Sequence, residues 1–138
     1  MKQSNTKIIN LKGEVVAGLG TGKFFVTKEK YKNQFIKKMG YLPYPGTLNI
    51  KTKSEDISYL GKYTDGILIG GFKENNRTYG QVQCLECILK KEHKKTKGTI
   101  VVPQKTRHTD IIEIISPRNL RKTLHLKNGD IVEIILNA

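Results

Sequence analysis

The sequence predicts a mainly β protein, specifically a small closed or nearly closed β-barrel with two short helices. Most of the chain consists of short strand-like stretches separated by glycine or polar turns. Only two segments carry helical spacing or helix-capping residues. Many short strands with two minor helices are typical of small barrels. With 138 residues, 37% of them hydrophobic, we expect one domain over 1–138, built around one core.

The predicted strands follow one another at short intervals. The first two flank a glycine-rich segment, and the third follows a proline turn. The fourth and fifth are joined by a polar connection at 73–77, which is typical of a hairpin. A further turn is expected at Lys127–Asp130, because Asn-Gly favours a tight turn. In chain order the strands are expected at 14–17, 24–26, 46–51, 66–72, 78–89, 99–102, 111–115 and 130–136.

The first helix is predicted over 28–39. Thr27 is a suitable N-cap, and Gly40 is suited to the residue that follows the last turn. An apolar stripe repeats every four residues along it, at Tyr31, Phe35 and Met39. The helix is therefore expected to pack one face against the sheet.

The charge of the chain is strongly positive, at +13 from 25 basic and 12 acidic residues. Such a field attracts polyanions, nucleotide phosphates or an anionic surface. The densest basic run, Lys90–Lys97, is expected to be a solvated hairpin loop. No apolar run approaches the ~20 residues of a membrane span, and the first residues lack a signal-peptide core. These features predict a soluble, cytoplasmic protein without a membrane partner.

Two cysteines, Cys84 and Cys87, form a lone C-x-x-C inside a predicted strand. A structural zinc site usually needs four ligands, and a redox pair usually opens a helix. Residues three apart in a strand face opposite sides. We therefore expect two ordinary buried or half-buried thiols.

The segment at 43–50 combines a rigid turn with two co-facial oxygen donors. Prolines and a glycine shape the turn, and Thr47 and Asn49 lie two apart in the strand that follows. Neutral oxygens suit a hard cation whose charge is balanced by ligand phosphates. A turn that enters a strand with two solvent-facing polar residues explains the same pattern.

The glycine-rich segment at 18–23 could approach a phosphate closely, because alternating glycines expose backbone N–H groups and Lys23 adds charge. It is not a P-loop, since Ala17 stands in place of the first glycine and Phe24 follows the lysine. A glycine-rich hairpin is the structural alternative.

A third candidate lies further along the chain, where Glu113 alternates with isoleucines in the strand 111–115. An acid in that position faces away from the core and could accept a hydroxyl proton or bind a polyol. A surface glutamate is the alternative interpretation. His108, in the polar loop before it, is expected to be solvated.

The last candidate is a short helix predicted over 117–124, with Ser116 as N-cap and Pro117 at the first helical position. Arg118 and Arg121 would add guanidinium groups suited to phosphate or to a base edge. A capped surface helix with basic residues is the alternative.

Together these motifs resemble one family, the archaeal-type CTP-dependent riboflavin kinases. The resemblance spans nearly the whole chain, in order. Its main segments are 13–23 (GEVVAGLGTGK), 40–51 (GYLPYPGTLNIK), 101–103 (VVP), 113–117 (EIISP), 119–121 (NLR) and 126–130 (LKNGD). Several ordered motifs at compatible spacing are far more specific than any one alone.

The resemblance implies a cradle-loop barrel that transfers the γ-phosphoryl of CTP to the 5′-hydroxyl of riboflavin, giving FMN and CDP. Thr47 and Asn49 match the Mg²⁺ ligands. Thr106 and Glu113 match flavin contacts, with Thr109 as the alternative to Thr106, and Glu113 is a candidate general base. The implied nucleotide-binding residues are Leu19, Gly20, Thr21, Gly22, Lys23, Phe24, Arg118, Asn119, Leu120 and Arg121.

Two nucleic-acid functions compete with this interpretation: a basic β-barrel that binds single strands, and a small swapped-hairpin barrel that binds DNA. A single-strand module needs aromatic side chains along a strand face for base stacking. The six tyrosines and four phenylalanines of this chain are scattered instead. We therefore expect no nucleic-acid partner, no obligate protein partner and no N-terminal helix-turn-helix domain.

Overall fold

The described part of the chain includes nine strands and two helices. The computed structural model describes residues 8–18, 28–53, 56, 60, 66–103 and 110–137. Its strands are β1 (Ile8–Val16), β2 (Leu48–Lys51), β3 (Ile67–Ile69), β4 (Phe72–Glu74), β5 (Arg77–Tyr79), β6 (Val82–Lys91), β7 (Lys94–Pro103), β8 (Ile111–Ile115) and β9 (Ile131–Asn137). The helices are α1 (Glu29–Met39) and α2 (Leu120–Thr123).

Six antiparallel strands form a closed ring in the order β6, β7, β8, β2, β1 and β9, and β9 pairs again with β6. The closure uses the second half of β6, where Ile88 pairs with Ile135 and Leu89 with Ile134. The first half of β6 pairs with β3 instead. The expected mainly β, barrel-like fold with two helices is therefore confirmed.

Two apolar clusters hold the elements together. The larger one fills the ring with alternating residues of its strands, among them Val15, Ile50, Leu89, Ile114 and Ile134. The smaller one lies between α1 and the outside of the sheet. In the described segments, no helix is long and apolar enough to cross a membrane.

The apolar stripe of α1 is buried against the sheet as expected. Tyr31 and Phe35 are both buried, and the Tyr31 hydroxyl donates a hydrogen bond to the carbonyl of Gly80 at 2.7 Å. Gly40 ends the helix in the left-handed conformation, with φ of 81°. The prediction of Thr27 as N-cap is wrong: the helix begins at Glu29, and Lys28 takes that position without a side-chain capping bond. The Lys28 side chain instead pairs with Glu74.

The second helix also differs from its prediction. It begins at Leu120, and Asn119 is the N-cap, because its side-chain oxygen accepts a hydrogen bond from the Lys122 N–H. Ser116 does not cap a helix. Its hydroxyl oxygen accepts from the Arg118 N–H in a local turn, which places Pro117 before the helix and not inside it.

Several strand boundaries were predicted imperfectly. The stretch at 66–72 is split into β3 and β4, and β4 forms a separate hairpin with β5. The connecting Asn75 and Asn76 both have positive φ, as a tight hairpin turn requires. The strand expected at 24–26 lies outside the described residues.

The lysine-rich segment at 90–97 is not a loop, contrary to expectation. β6 continues to Lys91 and β7 begins at Lys94, so only Glu92 and His93 form the turn. Pairing along the hairpin extends the strands to this point.

The two cysteines are free and buried, as expected, and burial raises the pKa of both thiols to about 12.

Candidate functional site

The sheet register places two of the candidate residues side by side. Strand β2 lies between β1 and β8, and Asn49 is the direct partner of Glu113 on β8. Directly opposed residues of an antiparallel pair point to the same face, with Cβ atoms about 4.5–5.5 Å apart. Asn49 and Glu113 are 64 positions apart in the chain, and the fold makes them neighbours on the outer face of the barrel.

Asn49 is held in a narrow space at this point. Only 7% of the residue is exposed, and its Nδ2 donates to the Thr47 carbonyl at 3.4 Å. Gly18, just after β1, packs directly against it: a Cβ atom added to Gly18 would overlap with Nδ2 of Asn49. Because an amide nitrogen is a donor only, Oδ1 is the atom of this side chain that can bind a cation.

Thr47 lies beside the residues that precede and begin α2. A cavity of about 170 Å³ is lined by Tyr44, Gly46, Thr47, Leu48 and Asn119–Arg121. The candidate cation ligand and three of the candidate nucleotide residues therefore share one cavity. Leu120 also lines this cavity, but it is a buried residue of the hydrophobic core.

Hydrogen bonds hold this cavity in shape. Asn119 uses both ends of its amide: its oxygen caps α2, and its Nδ2 donates to the Tyr44 hydroxyl at 3.2 Å. The Tyr44 N–H donates to the Ser116 carbonyl at 2.7 Å, which ties the proline turn to the segment before α2. Two hydrogen bonds therefore tie the proline turn to the segment that leads into α2.

The two arginines have different positions. Arg121 is half-buried, and its Nη2 donates to the carbonyl of Val16 at 3.1 Å and to Oδ1 of Asn128 at 2.8 Å. It thus joins the end of β1, where the glycine segment begins, to α2. Arg118 is exposed. Arg121 positions the backbone, while Arg118 has its side chain at the surface.

The donor set of this site contains neutral oxygens beside one carboxylate. In the segments the structure describes, no cluster of three or more His, Cys, Asp or Glu residues could hold a metal ion. The Thr47 hydroxyl and Asn49 Oδ1, with Glu113 adjacent, are hard oxygen donors. Mg²⁺ takes few protein ligands and fills its shell with waters and substrate phosphates. These residues fit Mg²⁺ that arrives with a phosphorylated substrate.

Several predicted site residues lie outside the described part of the chain. These residues are Leu19, Gly20, Thr21, Gly22, Lys23, Phe24, Thr106, His108 and Thr109. Their places in the site stay predictions. The described segments on either side do approach the site, since Gly18 contacts Asn49 and the strand that follows residue 109 carries Glu113.

Three contributors to the site were missed at the level of sequence. The Val16 carbonyl acts through its backbone, so no side-chain pattern could have indicated it. Tyr44 was not proposed as a site residue, although its position between two prolines indicates a fixed orientation. Gly18 was predicted as part of a candidate phosphate loop, but not as the neighbour of Asn49.

Comparisons of the sequence with a family model and with curated proteins point to the same family. The family model CTP-dep_RFKase, described as "Domain of unknown function DUF120", matches residues 15–136. The chain is 41% identical to a protein named "Riboflavin kinase" from Archaeoglobus fulgidus, over 91% of this chain and 54% of that protein. It is 44% identical to a "Riboflavin kinase" from Pyrobaculum islandicum, over 97% of this chain and 63% of that protein. The chain thus spans less than two thirds of the length of these relatives.

Proposed function

Because this chain belongs to the CTP-dep_RFKase family, we propose that it is a CTP-dependent riboflavin kinase. The reaction transfers the γ-phosphoryl of CTP to the 5′-hydroxyl of riboflavin and yields FMN and CDP. The observation that carries the proposal is the pairing of Asn49 with Glu113, next to the cavity that Thr47 shares with Asn119–Arg121. In this proposal, the cation ligands, the carboxylate and the nucleotide segment act at neighbouring positions on the barrel.

Phosphoryl transfer depends mainly on positioning and on neutralising charge, with little covalent work for the protein. Mg²⁺, held by Thr47 and Asn49, would supply positive charge to the phosphates. Glu113 would orient the riboflavin 5′-hydroxyl and accept its proton. A positioned side chain in that role contributes roughly 10²–10⁴-fold to the rate.

The nucleotide would be held from two sides. The segment Leu19–Phe24 would offer backbone N–H groups and the Lys23 ammonium to the phosphates. Arg118 would reach the nucleotide from the exposed start of the α2 segment, and Arg121 would keep the two segments together through its bond to Val16. Thr106, or Thr109 in its place, would contact the flavin with Glu113. We propose a cytoplasmic enzyme, since the flavin and nucleotide substrates are soluble metabolites.

The described aromatic residues favour a kinase over a single-strand binding module. Tyr31, Phe72 and Tyr79 form one cluster, with ring centroids 4.8–6.3 Å apart. This cluster packs between α1 and the β4–β5 hairpin, and not along an exposed strand where bases could stack.

The test is to incubate the protein with riboflavin, Mg²⁺ and each nucleoside triphosphate in turn, and to separate the flavins by chromatography. We expect FMN and CDP with CTP, and no FMN after chelation of the divalent ions. No FMN with any of the triphosphates would overturn the proposal. FMN formed at equal rates from ATP and CTP would show that the proposed donor is wrong. Thermal stabilisation by CDP with Mg²⁺, and by FMN, would support both substrate assignments.

A further inference from the structure

A second cleft lies on the outer face of the barrel and is not used by the proposed reaction. Its volume is about 410 Å³, within the range of roughly 300–1,000 Å³ that small-molecule sites occupy. It is lined by Met39 and Tyr41 from the end of α1 and the segment after it, by Pro117, and by residues of β6, β7 and β9. No described residue lines both this cleft and the cavity beside Thr47.

The floor of the cleft is an apolar platform. Ile88 on β6 pairs directly with Ile135 on β9, at the closure of the barrel, and both are half-buried on the outer face. Met39 and Pro117 add apolar walls on the side of the connecting segments. A flat apolar floor with apolar walls suits a planar ring.

Polar groups converge at one end of this platform. The Tyr41 and Thr99 hydroxyls are 2.8 Å apart and form one hydrogen bond with each other. Only one of the two hydroxyl protons is needed for that bond, so the other hydroxyl can donate to a ligand. Burial raises the pKa of the Tyr41 hydroxyl, which therefore keeps its proton at neutral pH. Glu86 is the direct partner of Thr99 and lines the cleft, and a carboxylate there can accept hydrogen bonds. These groups can pair with ring N–H and carbonyl groups.

Positive charge lies at the other end. Lys97 is the direct partner of Ile88 and lines the cleft, and Lys95 lies two residues further along the same face of β7. Lys95 is directly opposite Lys90, and like charges in that position destabilise a sheet. Glu133 on β9 flanks Lys90 on its other side. Lys95 and Lys97 thus leave a net positive charge beside the apolar platform.

We propose that this cleft is a second ligand site, which takes a phosphorylated heteroaromatic compound. The ring lies on Ile88 and Ile135 with its polar edge toward Glu86 and Tyr41, and the phosphate lies on Lys97 and Lys95. Charge complementarity and the order of apolar and basic groups along the strands carry this assignment. It does not depend on the kinase activity, because none of these residues belongs to the proposed transfer site.

The test uses ¹H–¹⁵N NMR titrations of the full chain with ADP and with FMN, in a buffer containing EDTA. We expect saturable shifts at the amides of Tyr41, Ile88 and Gly98. Adenosine or riboflavin, which lack the phosphate, should bind about tenfold more weakly or worse. Shifts confined to 46–49 and 118–121 with both probes would overturn the proposal, whether or not the chain forms FMN.

A matched pair of charge reversals separates this site from general attraction of anions. Lys97→Glu should weaken binding in the cleft by about tenfold or more. Lys94→Glu makes the same charge change on the same strand, but residues three apart face opposite sides, so binding should change by less than about twofold. Equal weakening by the two variants would show attraction by net charge alone and would contradict a built site.

Discussion

Gly18 has no room for a side chain, because an added Cβ would overlap with the Asn49 amide. We therefore expect Gly18→Ala to push Asn49 away from its position beside Glu113. In the proposed kinase, the Mg²⁺ concentration needed for half-maximal activity should rise several-fold. The measurement is an Mg²⁺ titration of FMN formation at saturating CTP and riboflavin.

Gly70→Ala is the matched control for that substitution. A Cβ at Gly70 would meet nothing closer than Oε1 of Gln34 at 3.5 Å, which is an ordinary contact. Its Mg²⁺ titration should match that of the parent protein. An unchanged titration for Gly18→Ala would contradict the role of Asn49 as a cation ligand.

Kinetics can distinguish two roles for Glu113, a general base and a residue that only binds the flavin. If it accepts the proton of the flavin hydroxyl, Glu113→Gln should lower kcat by roughly 10²–10⁴-fold while riboflavin KM changes little. Glu133→Gln is a suitable control, since Glu133 is a half-buried strand glutamate on β9, partnered with Lys12 and Lys90. A parental kcat with a raised riboflavin KM would make Glu113 a binding residue only.

The sequence was sufficient to select these residues but not to bring them together. Alternation correctly placed Leu48 and Ile50 in the core, whereas Thr47 precedes β2 and its shared direction with Asn49 stays a prediction. That Asn49 is nearly buried, and that Glu113 is its direct partner, depends on the register between β2 and β8. Register is set by the packing of whole strands, so no local pattern around either residue contains it.

Among the elements, an ion pair ties the end of β6 to the residue before β9, in addition to the pairing of the two strands. Asp130 precedes β9, and its Oδ2 accepts hydrogen bonds from Lys91 Nζ at 2.8 Å and from the Lys127 N–H at 2.9 Å. The Lys91 ammonium, followed by the Lys127 N–H, holds the Asp130 pKa below its usual range. The carboxylate therefore stabilises the fold above the ordinary pKa of Asp, and this contribution is lost as the pH falls through the lowered pKa.

We accordingly expect Asp130→Asn to lower the Tm at neutral pH, and the difference from the parent protein to shrink below about pH 4. Thermal melts between pH 3 and pH 7 measure both effects. Asp110→Asn is the control, because Asp110 forms a longer and more exposed pair with Lys51 at 3.7 Å. A Tm difference for Asp130→Asn that stays constant across this range would contradict the ion-pair explanation.

Local signals predicted the type of each element better than its limits. Strand β8 was expected at its observed residues, since isoleucines flank a single acid there. Helix α2 was placed three residues too early, because Ser-Pro resembles a helix start while Asn119 makes the actual cap. The lysine run at 90–97 looked like a loop, yet cross-strand pairing extends β6 and β7 through it. Tertiary pairing overrides local polarity in that hairpin.

At the scale of the whole molecule, the sequence predicted a closed or nearly closed barrel but not which strands pair to close it. Strand composition indicated a barrel, but the pairing of β6 with β9 joins segments about 45 positions apart in the chain. β6 serves two partners, with β3 along its first half and β9 along its second. The point at which β6 changes partner depends on how this long strand twists. The twist depends in turn on the packing of the core, which no local sequence pattern contains.

Ile134 lies at this closure, where its partners are Leu11 on β1 and Leu89 on β6. It is fully buried, at 0% exposure, whereas Ile131 on the same strand is 57% exposed. We expect Ile134→Val to lower the free energy of unfolding by about 1 kcal/mol and Ile134→Ala by about 2–5 kcal/mol, because a cavity remains in the ring. Ile131→Ala should change it by less than about 0.5 kcal/mol.

Urea unfolding followed by circular dichroism measures these differences. Because β1 and β9 pair along their length and β9 also closes onto β6, the destabilised Ile134 variants should still unfold in one transition with the parental m-value. A separate early transition in Ile134→Ala would show that β9 detaches from a ring that otherwise stays folded. In that case the strand pairing at the closure, and not the shared core, would be the weaker link.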